Sequence, residues 1–574
     1  MNKYFQAELD RLKGVGKEFS EANPTLAPQL AQSSSDPDVE RILEGVAFLS
    51  AGIRQKIDDD FPEFSQGLLN QIFPHYLRPI PSATIMEFTP KSILKGALSI
   101  PEKSYVDSIE VDEVSCRFST SSEVRIAPTQ LTAANTIETP TGRKAIELEL
   151  RLNGINISAW SEENLRLFVA GDYRSAVDIF YILFRYIDQI SILDEKGQEH
   201  TDSSLQINAA GFDESFKLLD YPSNSFPAYR LIQEYFLLKE KFLYFDIVNL
   251  KTALRKIGGS QFRFRFYLQE MSLVLPKLSA DRFKLYTTPA INLFQHEAES
   301  FLNDYKRFEY PLRPVRNSNQ QYHIYSVGRV EGNNRKLATK NVYKSMGLSD
   351  PDNNTSPVFQ TFNRQSQGQH DTKYISFSYP ESVPLENRET VTAELTCSNG
   401  KHPSKLKQGD ISKRTSGMSE MVDFSNIIAP SESQDVPSGN AILWRLLSHL
   451  SLNYLSLADA DNLKALLELY IFSGDAGNKQ NVANRSRINS IQSVTVQACD
   501  RLVDGISMRG QSIDVVVDPS GFTSVGDMFL FGMLLNHLMS SFASLNSFTE
   551  FSLINSATEE TYSWPIRTGG RPLI

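Results

Sequence analysis

Histidine and carboxylate residues at short spacing are the first groups in this sequence that could do chemistry. His296, Glu297 and Glu299 stand almost side by side and could offer one imidazole and two carboxylates to a metal. Ligation needs a second converging group fixed by the fold, and the surrounding sequence reads as a polar helix end. Asp58, Asp59 and Asp60 could attract a cation, but neighbouring helical residues point in different directions, so the run reads as a solvated helix end. His449 and His537 lie within apolar helical patterns and read as core or interface groups. The aromatic run Tyr235, Phe236, Phe242, Tyr244 and Phe245, interleaved with Lys239 and Lys241, could stack bases. A buried strand edge with snorkelling lysines is the better reading. Cys499 precedes Asp500 and Arg501, with nothing nearby to make it a thiolate nucleophile. There is no phosphate-cradling GxxxxGK[ST], no GxGxxG, no HExxH, no GxSxG and no EF-hand loop. The expectation is therefore no catalytic, cofactor-binding or metal site, and no enzyme.

The composition sets the same limits. The formal net charge is −10, a field that disfavours sequence-independent binding to a phosphate backbone. No nucleic-acid partner is expected. Cys116, Cys397 and Cys499 are odd in number and far apart, which argues against a disulfide framework and for a reducing compartment. The start carries acidic residues and no apolar run, so it is not a secretory signal. No stretch reaches the ~20 apolar residues needed to span a bilayer. A cytoplasmic protein is expected, with no direct membrane insertion.

The elements that would position these groups change character along the chain. Phe5, Leu9, Leu12 and Phe19 lie at helical spacing, weakened by Gly14 and Gly16. Asp36 can cap a second helix, with Pro37 in its first turn. Val39, Ile42, Leu43, Val46, Leu49, Ile53 and Ile57 then form one apolar stripe. Prolines 74, 79 and 81 end the helical section. From Thr84 the period becomes that of strands: Ile146, Leu148, Leu150 and Leu152 alternate with Glu147, Glu149 and Arg151. A helix is expected near Tyr173 to Ile190. Residues 327–371 and 398–439 are polar and read as long loops. Helices are expected at 441–457 and 461–472. Ser524 with Asp527 resembles a capping box opening another helix, and strands flank it. The fold class is α+β and multidomain. The expected division is a helical segment at 1–82, a mixed α+β domain at 83–326, a β-containing region with polar loops at 327–440, and a C-terminal α+β domain at 441–574.

Six phrases in chain order resemble one family. The opening YFQAELDRLKGVGKEF is followed by DPDVERILEGVAFLSAGIRQKIDDDFPEF. Further along stand YPSNSFPAYRLIQEYFLLKEKFLYFDI, LYTTPAINLFQHEAE, LLSHLSLNYLSL and the ending WPIRTGGRPLI. Together they resemble the TssF (VasA/ImpG) family of type VI secretion baseplate subunits. Ala228 stands where that family usually has Gly, and the polar stretches carry none of its motifs. The resemblance implies a structural wedge that assembles with TssG, TssE and TssK around the VgrG spike and primes the contractile sheath. It also implies a second TssF copy per wedge and recruitment to the inner membrane through the complex. A phage-like tail baseplate protein, or a hydrolase with a dispersed site, are the alternatives.

Two surfaces follow as expected interfaces. Phe5, Leu9, Leu12, Phe19, Val39, Leu43 and Val46 lie in a helical module too small to cover its own apolar stripes. Trp564, Arg567 and Arg571 lie in a tail whose prolines and glycines are unlike a frayed end. That tail either docks on its own domain or clamps a neighbouring subunit.

Overall fold

A computed structural model describes residues 2–22, 38, 40–52, 67, 69–70 and 73–569, apart from 141, 155, 222–224, 256, 272, 316–321, 335–338, 347–356, 365–371, 381–387, 437–457, 473–478 and 504. Val39, the Asp58–Asp60 run, His449, the helix expected at 441–457 and Arg571 lie outside the described residues. The chain divides into two units. One holds residues 1–72 with 438–447, and the other holds 73–437 with 448–574.

In the first unit the helix Asn2–Ala22 runs unbroken through both glycines. Residues 40–52 form a second helix, and Lys13 reaches Glu40 at 3.6 Å.

The second unit begins where the side-chain period turns from 3.6 to 2. Its first sheet is antiparallel, in the order Val422–Asn426, Ala83–Pro90, Thr287–Ile291, Val114–Thr120 and Tyr105–Val111. Residues 340 apart in sequence thus lie side by side, Met86 opposite Asn426. A second sheet follows the order Glu199–Thr201, Ile187–Leu193, Gln261–Leu268, Lys144–Leu152 and Thr129–Glu138. The alternating strand read from the sequence at residues 146–152 is matched by its neighbour: Phe262, Phe264 and Phe266 are buried, while Arg263 and Arg265 face Glu149 and Glu147 across the register. A third sheet sets Tyr244–Val248 between Gln206–Ala209 and Leu165–Val169.

Residues 294–398 leave the first sheet after Ile291 and form a barrel of their own. The expected boundary at 326–327 falls inside one of its strands, His323–Asn334, and the expected loop at 327–371 contains Thr339–Ser345 and Val358–Arg364. The polar composition misled here. A barrel strand needs apolar residues only on its inner face, and these strands spend their other positions on Asn, Ser and Gln. The His296 segment is likewise no helix end but the strand Phe294–Glu297. Glu299 N bonds Arg313 O at 2.7 Å and Val315 N bonds Glu297 O at 2.9 Å, which closes the curled sheet on itself. Val330, Ile375, Val391, Leu395 and Cys397 fill its interior.

Residues 398–436, expected to be loop, hold the edge strand Val422–Asn426 and the turn His402–Lys405. Their backbone polar groups are met by side chains: Asn426 bonds Ile411 N, Lys407 O and Ile428 O at 2.9–3.0 Å.

The C-terminal sheet orders Ile491–Val503, Ile506–Val517, Phe548–Asn555 and Thr561–Ser563, with the middle pair parallel. Parallel neighbours need a crossover, and the helix Val525–Ser541 supplies it. That helix packs on Tyr173–Arg185, on Pro227–Leu237 and on Phe548–Asn555. It is apolar all round because it is covered all round. Ser524 caps it, accepting from Asp527 N at 3.4 Å. The architecture is α+β throughout, with helices clustered against antiparallel and mixed sheets.

Candidate interaction surfaces

Of the residues singled out for chemistry, His296 and His537 are engaged by their neighbours, while Glu297 and Glu299 are exposed. His296 Nε2 bonds the carbonyl of Val315 at 2.7 Å and its ring meets Tyr322 edge-on. Among the described residues no three His, Cys, Asp or Glu groups converge to hold a metal. His537 is half-buried and stacks on Phe212 at 4.4 Å. Burial first, and Arg567 second, push its pKa down to about 3, so it is a neutral acceptor. Burial raises the Cys499 thiol above its ordinary value.

The aromatic and lysine run is not a strand edge. Tyr235 and Phe236 lie on the helix Pro227–Leu237, Phe242 in the turn Lys239–Leu243, and Tyr244 and Phe245 on the following strand; all five are buried. Lys241 does not snorkel. It is fully buried against Glu234, whose Oε1 also accepts from Leu218 N and Leu219 N at 2.7 and 3.0 Å. Burial lowers the Lys241 pKa, although Glu234 opposes it. The QEYFLLKEKF phrase therefore encodes an internal ion pair that fixes a helix-to-strand corner, and base stacking has no exposed ring to use.

A second buried pair gave no local signal. Arg487 sits in a polar helix, Lys479–Asn489, and its Nε and Nη2 bond Asp527 at 3.1 and 2.9 Å. Tyr173 OH donates to the same carboxylate at 2.7 Å, and Thr523 N donates at 3.1 Å. Burial favours the neutral acid, but the charge and hydrogen bonds of Arg487 outweigh it and hold Asp527 below the ordinary carboxylate range.

Some apolar side chains remain outward. In the first unit Phe5, Leu9 and Leu12 are half-buried and Phe19 is 50 % exposed. The second helix carries two faces rather than one stripe. Leu43, Ala47 and Ala51 turn inward, the alanines fully covered, while Ile42, Val46 and Leu49 remain 65, 44 and 68 % exposed at helical spacing. These three side chains form an exposed apolar row along one helix face.

The tail lies on its own domain as far as residue 569. Trp564 packs at 5.3 Å on Phe529 and 5.5 Å on Phe551. Gly532 makes room for it, since a Cβ there would come 2.5 Å from the indole. Arg567–Thr568 adds a short strand to Phe548–Asn555, and Arg567 Nη2 donates to His537 Nε2 at 2.9 Å. Gly569 N bonds Ser547 O at 2.8 Å.

No helix among the described residues is long and apolar enough to cross a membrane. A relative in Pseudomonas aeruginosa (strain PAO1), the type VI secretion system component TssF1, is 26% identical, the match covering 99% of this chain and 98% of the relative. Among solved structures, a chain of the type VI secretion system TssK-TssF-TssG baseplate subcomplex superposes with a TM-score of 0.80 at 26% identity, over 93% of this chain and 99% of that one. A chain of the baseplate complex from the type VI secretion system shares the fold at TM-score 0.60 and 22% identity, over the full length of both. The family model described as Type VI secretion system, TssF, matches residues 1–571, and the chain belongs to that family.

Proposed function

We propose that this chain is a structural, non-catalytic subunit of a type VI secretion baseplate, assembling with TssK- and TssG-like partners into the wedge. The observation that carries the reading is the likeness, over nearly all of both chains, to a protein solved within a TssK-TssF-TssG subcomplex. The outward row Ile42, Val46 and Leu49 with Phe19 supports it, because a small helical module leaves apolar area that association can bury. The first unit is the surface that meets the TssG-like partner. TssE, the VgrG spike, the sheath and a second copy of this chain complete the assembly, which gathers in the cytoplasm at the inner membrane.

The test is co-expression with the TssG- and TssK-like proteins of the same source, followed by size-exclusion chromatography. A joint complex is expected. Ile42→Asp with Leu49→Asp should abolish it while the melting temperature of the chain alone stays within a degree or two, since both positions are exposed. Intact assembly by that double variant would refute the assigned surface, and no assembly by the unaltered chain would refute the baseplate reading.

A further inference from the structure

The barrel of residues 294–398 presents one side chain almost entirely to solvent. Phe308 is 94 % exposed. It sits in residues 304–308, which join the strand Phe301–Asn303 on one side of the barrel seam to Glu309–Pro311 on the other. Lys306 and Arg307, next to it, are also exposed, and neither makes an ion pair among the described residues. The segment is held by a dense set of bonds. Asn303 is 2 % exposed, and its Oδ1 accepts from Tyr305 N at 3.2 Å and from Tyr310 OH at 3.0 Å. Its Nδ2 reaches Tyr379 OH at 2.5 Å and Glu389 Oε1 at 3.1 Å. Glu389, 1 % exposed, also takes bonds from Tyr343 OH and from Asn341 Nδ2. Gly332 leaves the space, because a Cβ there would lie 2.3 Å from Glu389 Oε2. Tyr305 is held at φ 60°, a strained value for a large side chain, and its ring meets Tyr379 edge-on at 5.4 Å. Asp304 is turned into the turn, accepting from Lys306 N and Tyr310 OH at 3.2 Å. The groups left pointing outward are one aromatic ring and two cations.

We infer that Lys306, Arg307 and Phe308 form a preorganised plug that docks into an apolar pocket rimmed by carboxylates on another protein of the assembly. A rigid loop loses little conformational entropy on docking. A central aromatic ring filling a pocket, ringed by charge pairs, is the composition of an interface hot spot. A bilayer is the weaker occupant, because one ring gives too little apolar area for stable anchoring and the turn is not an amphipathic helix. The plug goes beyond the baseplate reading and depends on it only for where the pocket is sought.

The experiment places p-benzoylphenylalanine at position 308 of the full chain and irradiates it both in cells and in the purified complex with the TssK- and TssG-like partners. The expected adduct is to a protein segment with Asp or Glu flanking an apolar stretch. Phe308→Ala should weaken that association at least tenfold, and Phe308→Trp should largely restore it. Lys306→Glu with Arg307→Glu should slow association and remove its dependence on salt. All three variants should melt with the unaltered chain. An adduct only to a protein outside the assembly, with the complex with the TssK- and TssG-like partners still formed, would overturn the plug and leave the baseplate reading standing. Adducts to lipid alone, to a site without carboxylates, or to nothing in an assembled complex would overturn it.

Discussion

Arg487 and Asp527 form a buried fork, with the guanidinium Nε and Nη2 at 3.1 and 2.9 Å from one carboxylate oxygen and side chains 2 and 0 % exposed. The pair joins two helices 40 residues apart, and Tyr173 brings in a third through its hydroxyl. Removing one partner leaves the other charge buried without compensation. Asp527→Asn should therefore cost about 3–5 kcal/mol of stability, read as a lower urea midpoint. The double change Arg487→Met with Asp527→Leu should cost less than Asp527→Asn alone, because no unpaired charge remains. A double variant worse than the single one would show that the pair contributes net stability beyond mutual neutralisation.

Trp564 and Gly532 make the tail's fit directly testable. Alanine is the better helix former by about 1 kcal/mol, yet Gly532→Ala should destabilise the chain by about 1–2 kcal/mol through overpacking against the indole. Trp564→Ala should cost about 2 kcal/mol, less than for a fully buried ring, because one side faces water. The combination Gly532→Ala with Trp564→Phe should cost less than the sum of the two single changes. Additive losses in thermal unfolding would rule out the contact as their origin. Removing residues 563–574 should expose Phe529 and Phe551 and make the C-terminal sheet sensitive to protease.

His75 and His537 set an acid limit on stability. His75 is buried and His537 half-buried, and both are neutral, with pKa values pushed down to about 3 by desolvation first and by Arg78 and Arg567 second. Unfolded, each takes up a proton near 6.5. The unfolded chain therefore gains protons first as pH falls, so stability is full above 6.5 and declines down to about 3. The slope is about 1.4 kcal/mol per pH unit for each histidine. His537→Phe should flatten the loss between pH 6.5 and 4.5 relative to the unaltered chain, while lowering stability at pH 7.5, where Arg567 loses its acceptor. Parallel curves for the two proteins would disprove the assignment.

Asn292 belongs to the TPAINLF phrase and acts as a clasp where the chain passes from the first sheet into the barrel. Its Nδ2 bonds Arg117 O at 2.7 Å and Asn399 Oδ1 at 2.8 Å, and its Oδ1 accepts from Asn399 N at 2.8 Å. The entry and exit of the inserted barrel are thus tied to each other. Asn292→Ala leaves buried groups unpaired and should cost about 1–3 kcal/mol. Hydrogen exchange should rise at residues 292–294 and 397–400 before it rises in the barrel core. Uniform protection across both segments would show that the clasp is dispensable.

The sequence by itself determined the elements whose signal is local. The alternation of Ile146 to Leu152 is a strand, and its partner carries the phenylalanines in register. Ser524 opens a helix because capping is decided within one turn. The family was legible too, since its phrases are short runs of particular residues. Only the tertiary structure decided which of those phrases are core. Glu234 and Lys241 read as ordinary charged residues until the fold brings them into contact in a dry corner. Arg487 and Asp527 are 40 positions apart, and nothing in either helix announces the other. The barrel was hidden for the same reason: its strands are half polar, and closure is made by backbone bonds between Glu297, Glu299, Arg313 and Val315, whose side chains do not encode it. Even the second helix of the first unit misled, because one apolar pattern of Ile, Leu, Val and Ala serves an inward face and an outward one. Periodicity records that a residue is apolar, while burial depends on what the rest of the chain places against it, and Ile42, Val46 and Leu49 stay exposed.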